Sequence, residues 1–260
     1  MLLKRIVVCL DVIGERTTKG IRFKNNVDVG DPVVMARDYY LQGVDELVFY
    51  DITASAEKRG IIIEVVRRVA EQIFIPFTVG GGIGSVDDMK EVLLAGAEKV
   101  SINSRAVRNP GLIEEGASLF GKQCIVLGLD AERDATMSSG YRVVIDGGRT
   151  PTGLDALSWA REAENLGAGE IVLNSIDADG TRAGYEITLT RMISEQVGVP
   201  VVASGGAGKI EHIADIFEKG KADAALIASM VHSMGYTIWE IKKYLSERNI
   251  AVRTDCYTDL

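Results

Sequence analysis

Cysteine and histidine are scarce in this chain of 260 residues, with three of the first and two of the second. Cys9, Cys124 and Cys256 are odd in number and far apart, so they make no disulfide framework. Cys9 and Cys124 stand in apolar runs and read as small buried residues. His212 and His232 have no cysteine–histidine cluster around them, which argues against zinc; no metal and no cofactor are expected. No basic stripe accompanies the net charge of −8, so no nucleic-acid partner is expected, and the mild acidity reads as a soluble surface. No apolar run approaches the ~20 residues of a membrane span. The opening Met-Leu-Leu-Lys-Arg-Ile-Val-Val-Cys-Leu-Asp meets an acid too early for a secretory signal. The expectation is a cytoplasmic protein with no membrane association.

Hydrophobic residues make up 47% of the chain, enough for a large core. Short β-branched runs recur at 6–10, 47–51, 76–79, 100–103, 125–129, 171–174, 199–203 and 224–228. Apolar runs of this length fit parallel strands covered on both faces. Helical patterns alternate with them at 31–43, 58–72, 86–95, 112–120, 154–166, 186–197, 211–219 and 238–248, the first opened by Asp31-Pro32. Eight strand–helix units predict an α/β protein, either a barrel or a doubly wound sheet.

An internal repeat favours the barrel. Shifted by 124 positions, Gly43–Ile52 falls on Gly167–Ile176, and Val79-Gly80-Gly81-Gly82-Ile83 falls on Ala203-Ser204-Gly205-Gly206-Ala207. A shift of 125 carries Ala97–Ser104 onto Ala222–Ser229, and a shift of 119 carries Val8-Cys9-Leu10-Asp11 onto Leu127-Gly128-Leu129-Asp130. Glycines and acids match as well as aliphatics. The expected architecture is one (β/α)8 TIM barrel over 1–253, built from two similar half-barrels, with a polar tail at 254–260. Two segments, 12–30 and 131–153, read as long loops of the kind that cover active sites; the second holds a small hairpin candidate at 141–145 followed by Asp146-Gly147-Gly148.

Asp11 and Asp130 each follow an apolar strand. In a barrel that position is the C-terminal rim, and strands one and five lie on opposite sides of the mouth. Two carboxylates facing across a cavity can divide acid and base roles when their surroundings separate their pKa values. Gly80-Gly81-Gly82 and Gly205-Gly206 with Gly208 follow strands three and seven, and the next strand of each half ends in Asn103-Ser104 or in Ser229. Glycine lets the backbone approach a phosphate, so two such pockets predict two phosphates on opposite sides of the mouth. Asp177-Ala178-Asp179-Gly180-Thr181 lacks the rest of a calcium loop and suits substrate hydroxyls better. Lys19 is either a phosphate contact or a surface lysine. Arg5, Glu46, Lys99 and Glu170 stand before strands one, two, four and six, where they could form an ion-pair ring in the barrel floor.

Cys9-Leu10-Asp11-Val12, Asp51-Ile52-Thr53-Ala54-Ser55, Phe77-Thr78-Val79-Gly80-Gly81-Gly82-Ile83, Lys99-Val100-Ser101-Ile102-Asn103, Ser175-Ile176-Asp177-Ala178-Asp179-Gly180-Thr181 and Ala203-Ser204-Gly205-Gly206-Ala207-Gly208 together resemble the cyclase subunits of imidazole glycerol phosphate synthase, over roughly 1–253. The resemblance implies a substrate phosphorylated at both ends. Ammonia closes an imidazole ring on it, giving imidazole glycerol phosphate and an aminoimidazole carboxamide ribotide. It implies Asp11 and Asp130 as the acid/base pair, with one phosphate held by Gly82, Asn103 and Ser104. Asp179, Gly180, Gly206 and Ser229 would surround the other, and Lys19 would belong to the first loop. It further implies a glutaminase subunit on the N-terminal face, feeding ammonia past a gate of Arg5, Glu46, Lys99 and Glu170. The half-barrel repeat alone would also fit the related phosphoribosyl-formimino isomerase, and a paralogous ammonia-dependent cyclase of another pathway fits the motifs. Departures from the pattern are Ile13-Gly14-Glu15 and Thr17-Thr18 in the first loop, with Asn174 and Ser104 where threonine is common.

Overall fold

A computed structural model describes residues 2–21, 24–52 and 63–254, without the side chains of 19–21 and 24–26. Cys256, the motif residues 53–55, the start of the helix expected at 58–72 and most of the polar tail lie outside the described residues. Eight parallel strands close on themselves: β1 (Arg5–Ile13), β4 (Glu46–Asp51), β5 (Phe77–Gly80), β6 (Lys99–Ile102), β7 (Ile125–Arg133), β10 (Glu170–Ser175), β11 (Val201–Ser204) and β12 (Ala224–Ile227). β12 pairs with β1 and β7 with β10, so among these eight no edge remains. Helices follow the strands as the polar/apolar pattern predicts. Asp31 accepts from the amides of Val33 and Val34 ahead of Pro32–Leu41, and Thr237 and Glu240 form a capping box on Ile238–Glu247.

The two halves repeat in three dimensions. β1 and β7 both have 9 residues, and each runs into an antiparallel excursion, β2 (Arg16–Ile21) with β3 (Lys24–Gly30) in one half and β8 (Tyr141–Ile145) with β9 (Thr150–Asp155) in the other. The segment 12–30, expected as a loop, is therefore largely strand. Its residues are mostly polar, so it carries no apolar alternation, yet Arg16 grips Asp28 across the pair at 2.8 and 3.0 Å. Asp11 and Asp130 lie within β1 and β7, not beyond them, because pairing of Asp11 with Thr18 and of Asp130 with Val144 continues the ladder past the apolar run.

The core has two compartments. A large one lies between the sheet and the helices; a small one inside the barrel comprises Val7, Cys9, Val48, Val126, Val172, Val202, Ala224 and Leu226. Cys9 is buried there as expected, whereas Cys124 is only half-buried, at the end of the short turn Lys122–Cys124. Among the described residues no helix is long and apolar enough to cross a membrane.

The last helix is fastened by a buried ion pair. The Lys242 ammonium donates to Asp45 and to the Gly43 carbonyl, both at 2.6 Å, and Asp45 also accepts from the Ile6 amide at 2.8 Å and from Arg253 at 3.1 Å. With Lys242 and Asp45 side chains 5% and 8% exposed, removing one charge leaves the other short of its main partner. Lys242→Met is expected to lower the stability read by urea unfolding by about 3 kcal/mol.

Candidate active site

Side chains on a strand alternate between faces, so β1 turns Val7, Cys9 and Asp11 to the barrel interior and β7 turns Val126, Gly128 and Asp130 there. These are the first and fifth strands of the ring, so the two acids rise on opposite sides. Both line one cavity of about 1030 Å³ at the C-terminal mouth. Gly82, Asn103, Ser104, Asp179, Gly180, Gly206 and Ser229 line it as well, so every expected substrate residue except Lys19 is gathered there. Lys19 lies on β2, but its side chain is outside the described part of the structure.

The acids differ in setting. Asp130 accepts from the Asn103 amide at 3.0 Å on one oxygen and from the Asn174 amide at 3.2 Å on the other. Burial nevertheless outweighs those bonds and pushes its carboxyl up to about 6. Asp11 has the Cys9 thiol at 3.3 Å from its carboxylate, and the Thr18 hydroxyl donates to its carbonyl at 3.4 Å.

The glycine runs are imposed by close packing. Gly81 and Gly206 have φ of +90° and +101°, and a β-carbon would lie 2.1 Å from the Asp51 carbonyl oxygen at the first and 2.0 Å from that of Gly184 at the second. The first turn thereby folds tightly against the end of β4, and the second against the loop that follows β10. Each half then adds a short helix that sequence periodicity could not announce, Ser104–Arg108 and Ser229–His232. The Ser104 hydroxyl accepts the Asp146 amide at 2.9 Å, and Arg108 holds the Asp146 carboxylate at 2.6 and 2.8 Å, so the turn after β8 is tied to the first pocket. In the second half His232 joins the Cys9 carbonyl at 2.9 Å and the Tyr39 hydroxyl at 2.7 Å, tying that helix to β1. Neither tie was visible in the sequence, although the Asp146-Gly147-Gly148 turn signal was. Asn174 emerged there only as a departure from the family pattern. Among the described residues no group of three or more histidine, cysteine or acidic side chains is arranged to hold a metal.

At the opposite end the four expected charges close a ring. Arg5 bridges Glu46 at 2.7 Å and also Glu170; Lys99 bridges Glu46 at 2.8 Å and Glu170 at 2.7 Å. Thr78 donates to Glu46 at 2.9 Å. Two acids and two cations balance, which is how charges this deep are tolerated.

A family model described as histidine biosynthesis protein matches residues 5–237. The chain is 65% identical over 256 residues to the imidazole glycerol phosphate synthase subunit HisF of Desulfatibacillum aliphaticivorans, covering 97% of this chain and 98% of that one. It is 64% identical to the subunit of the same name in Syntrophobacter fumaroxidans, covering 97% and 99%. With the protein of that name in Desulfosudis oleivorans the identity is 63% at the same coverage.

The raised carboxyl of Asp130 carries a stability consequence. Its folded pKa of about 6 exceeds the ordinary unfolded value of about 4, so stability is lost as pH rises between those values. Asp130→Asn escapes that loss. Two units correspond to about 3 kcal/mol, less about 1 kcal/mol for the acceptor removed. The variant is expected to be more stable than the parent by about 2 kcal/mol at pH 8 and not at pH 4, as read by denaturant unfolding at both values.

Proposed function

The chain belongs to the histidine biosynthesis protein family, and from that premise we propose how its residues divide the work of an imidazole glycerol phosphate synthase cyclase subunit. The activity is that of a lyase and cyclase of amino-acid biosynthesis. A bisphosphorylated formimino-ribonucleotide spans the mouth, one phosphate at Gly82, Asn103 and Ser104, the other at Asp179, Gly180, Gly206 and Ser229. Lys19, whose backbone lies on β2, contributes a further contact to the substrate. Asp11 and Asp130 exchange protons with the nitrogen that enters and the groups that leave. The observation that carries this reading is the pair of acids on opposite strands of one cavity, with a glycine-turned pocket to either side.

Ammonia enters from the other end. A glutaminase subunit docks on the N-terminal face, and Arg5, Glu46, Lys99 and Glu170 form the gate it faces. A ring of paired charges is a barrier that can open by exchanging partners, since each acid is shared by both cations. The complex acts in the cytoplasm.

The chain, supplied with the bisphosphorylated substrate and an ammonium salt, is expected to release imidazole glycerol phosphate. Asp11→Asn should bind substrate normally and turn it over at least about a hundredfold more slowly; retained turnover would overturn the acid/base role. Lys99→Met should reduce glutamine-dependent activity more than ammonium-dependent activity, and equal losses in the two assays would remove the gate.

A further inference from the structure

Between the charged floor and the two acids lies a feature that neither role uses. The inward positions of β4 are Glu46, Val48 and Tyr50, and those of β6 are Lys99 and Ser101. Above the floor ring comes an apolar layer that includes Val7, Val48, Val126, Val172 and Val202. The next polar groups are the Tyr50 and Ser101 hydroxyls, 3.2 Å apart, both on the wall of the cavity that holds Asp11 and Asp130.

Two glycines clear the space for this pair. A β-carbon at Gly80, on β5 between the two strands, would lie 2.6 Å from the Tyr50 ring and 3.0 Å from the Ser101 β-carbon. A β-carbon at Gly128, on β7, would lie 3.3 Å from the Ser101 hydroxyl. The Tyr50 ring thus lies across β5 and its hydroxyl reaches Ser101, an arrangement that any side chain at Gly80 would displace.

We propose that the Tyr50 and Ser101 hydroxyls are a neutral hydrogen-bonding station that takes ammonia from the apolar interior and presents it to the cavity between Asp11 and Asp130. This rests on the cyclase reading above. An ion is costly to move through a layer of valines, so what crosses is neutral ammonia. On leaving that layer it needs both a donor and an acceptor, and each hydroxyl is both. It must also arrive unprotonated, because its lone pair makes the new bond to carbon. Neither hydroxyl is an acid strong enough to protonate it, and burial pushes the Tyr50 phenol further above its ordinary range. A carboxyl at this point would trap ammonium instead. The pair therefore suits ammonia and not its conjugate acid, and Tyr50 acts as a positioning residue for the nucleophile.

The test is Tyr50→Phe, which keeps the ring over Gly80 and deletes the hydroxyl. At matched concentrations of free ammonia, the KM for ammonia is expected to rise about fivefold, the value of one neutral hydrogen bond, while the KM for the bisphosphorylated substrate changes less than about twofold. With the glutaminase partner present, more glutamine should be hydrolysed per product formed. Ser101→Ala should move the same parameter, and the double variant should be no worse than the single ones, since both delete one station. An unchanged ammonia KM in Tyr50→Phe, or in Ser101→Ala should the first variant not fold, would overturn the station. Absence of ammonium-dependent turnover in the parent chain would instead overturn the cyclase reading itself.

Discussion

The two-residue pleat of the barrel strands decides which side chains of this molecule can meet. On β1 it turns Val7, Cys9 and Asp11 inward while Ile6, Val8 and Leu10 face the helices. A slip of one residue would put Asp11 under a helix and Leu10 at the mouth. The register is held by the large outer core, in which Ile6, Leu10, Leu47, Phe49, Leu127 and Leu129 are almost wholly buried. Function depends on packing that it never touches: aliphatic residues on the far face of each strand fix the acids, the hydroxyls and the charged ring.

Along the barrel axis the interior changes character in layers, and each layer handles charge differently. The floor contains formal charges in balanced pairs. The middle is lined mainly by aliphatic side chains together with Cys9, a layer in which an unpaired ion is costly. At the top, Asp130 is met by two neutral amides, which orient its carboxylate without cancelling the cost of burying it. A cation in the place of Asn103 or Asn174 would instead favour the charged carboxylate and bring the Asp130 carboxyl down. Under the acid/base role proposed for Asp130, this unfavourable burial falls where a proton has to move, in keeping with strain concentrating where chemistry is done.

Much of this was legible in the sequence, for identifiable reasons. Strands covered on both faces leave unbroken apolar runs, so all eight barrel strands could be read, and the duplication of glycines and acids pointed to the half-barrels. The four floor charges stood out because each precedes such a run. What escaped was whatever rests on pairing between distant segments. Asp11 and Asp130 look like strand ends because a charge stops an apolar run, yet β1 and β7 continue along β2 and β8. The β2–β3 pair is built of polar residues whose partner contacts carry no periodic signal. Helices as short as Ser104–Arg108 and Ser229–His232 have too few turns for periodicity. Tyr50 reads as one more apolar strand residue until β5 is laid beside β4 and Gly80 is seen beneath its ring.

Duplication explains the resemblance of the halves, and their differences explain why two similar aspartates need not do the same thing. The shifts that align the repeat carry Asn174 onto Tyr50, Asn103 onto Ala228, Gly128 onto Cys9 and Ser101 onto Leu226. Both amides that hold Asp130 are thus replaced around Asp11, by a phenol and by a methyl group. The register repeats the point, since Asp130 lies beside Asn174 on β10 and Asp11 beside Tyr50 on β4. Two amides, one from each half, fix Asp130 in one orientation, and burial pushes its carboxyl up to about 6. The half that supplies the phenol sets a neutral hydroxyl pair beside the other acid. A symmetric barrel would offer the proposed bisphosphorylated substrate, whose two ends differ, the same chemistry from both sides. Divergence at these four pairs of positions, with the outer packing and glycine turns preserved, turns a symmetric scaffold into an asymmetric site without moving a strand.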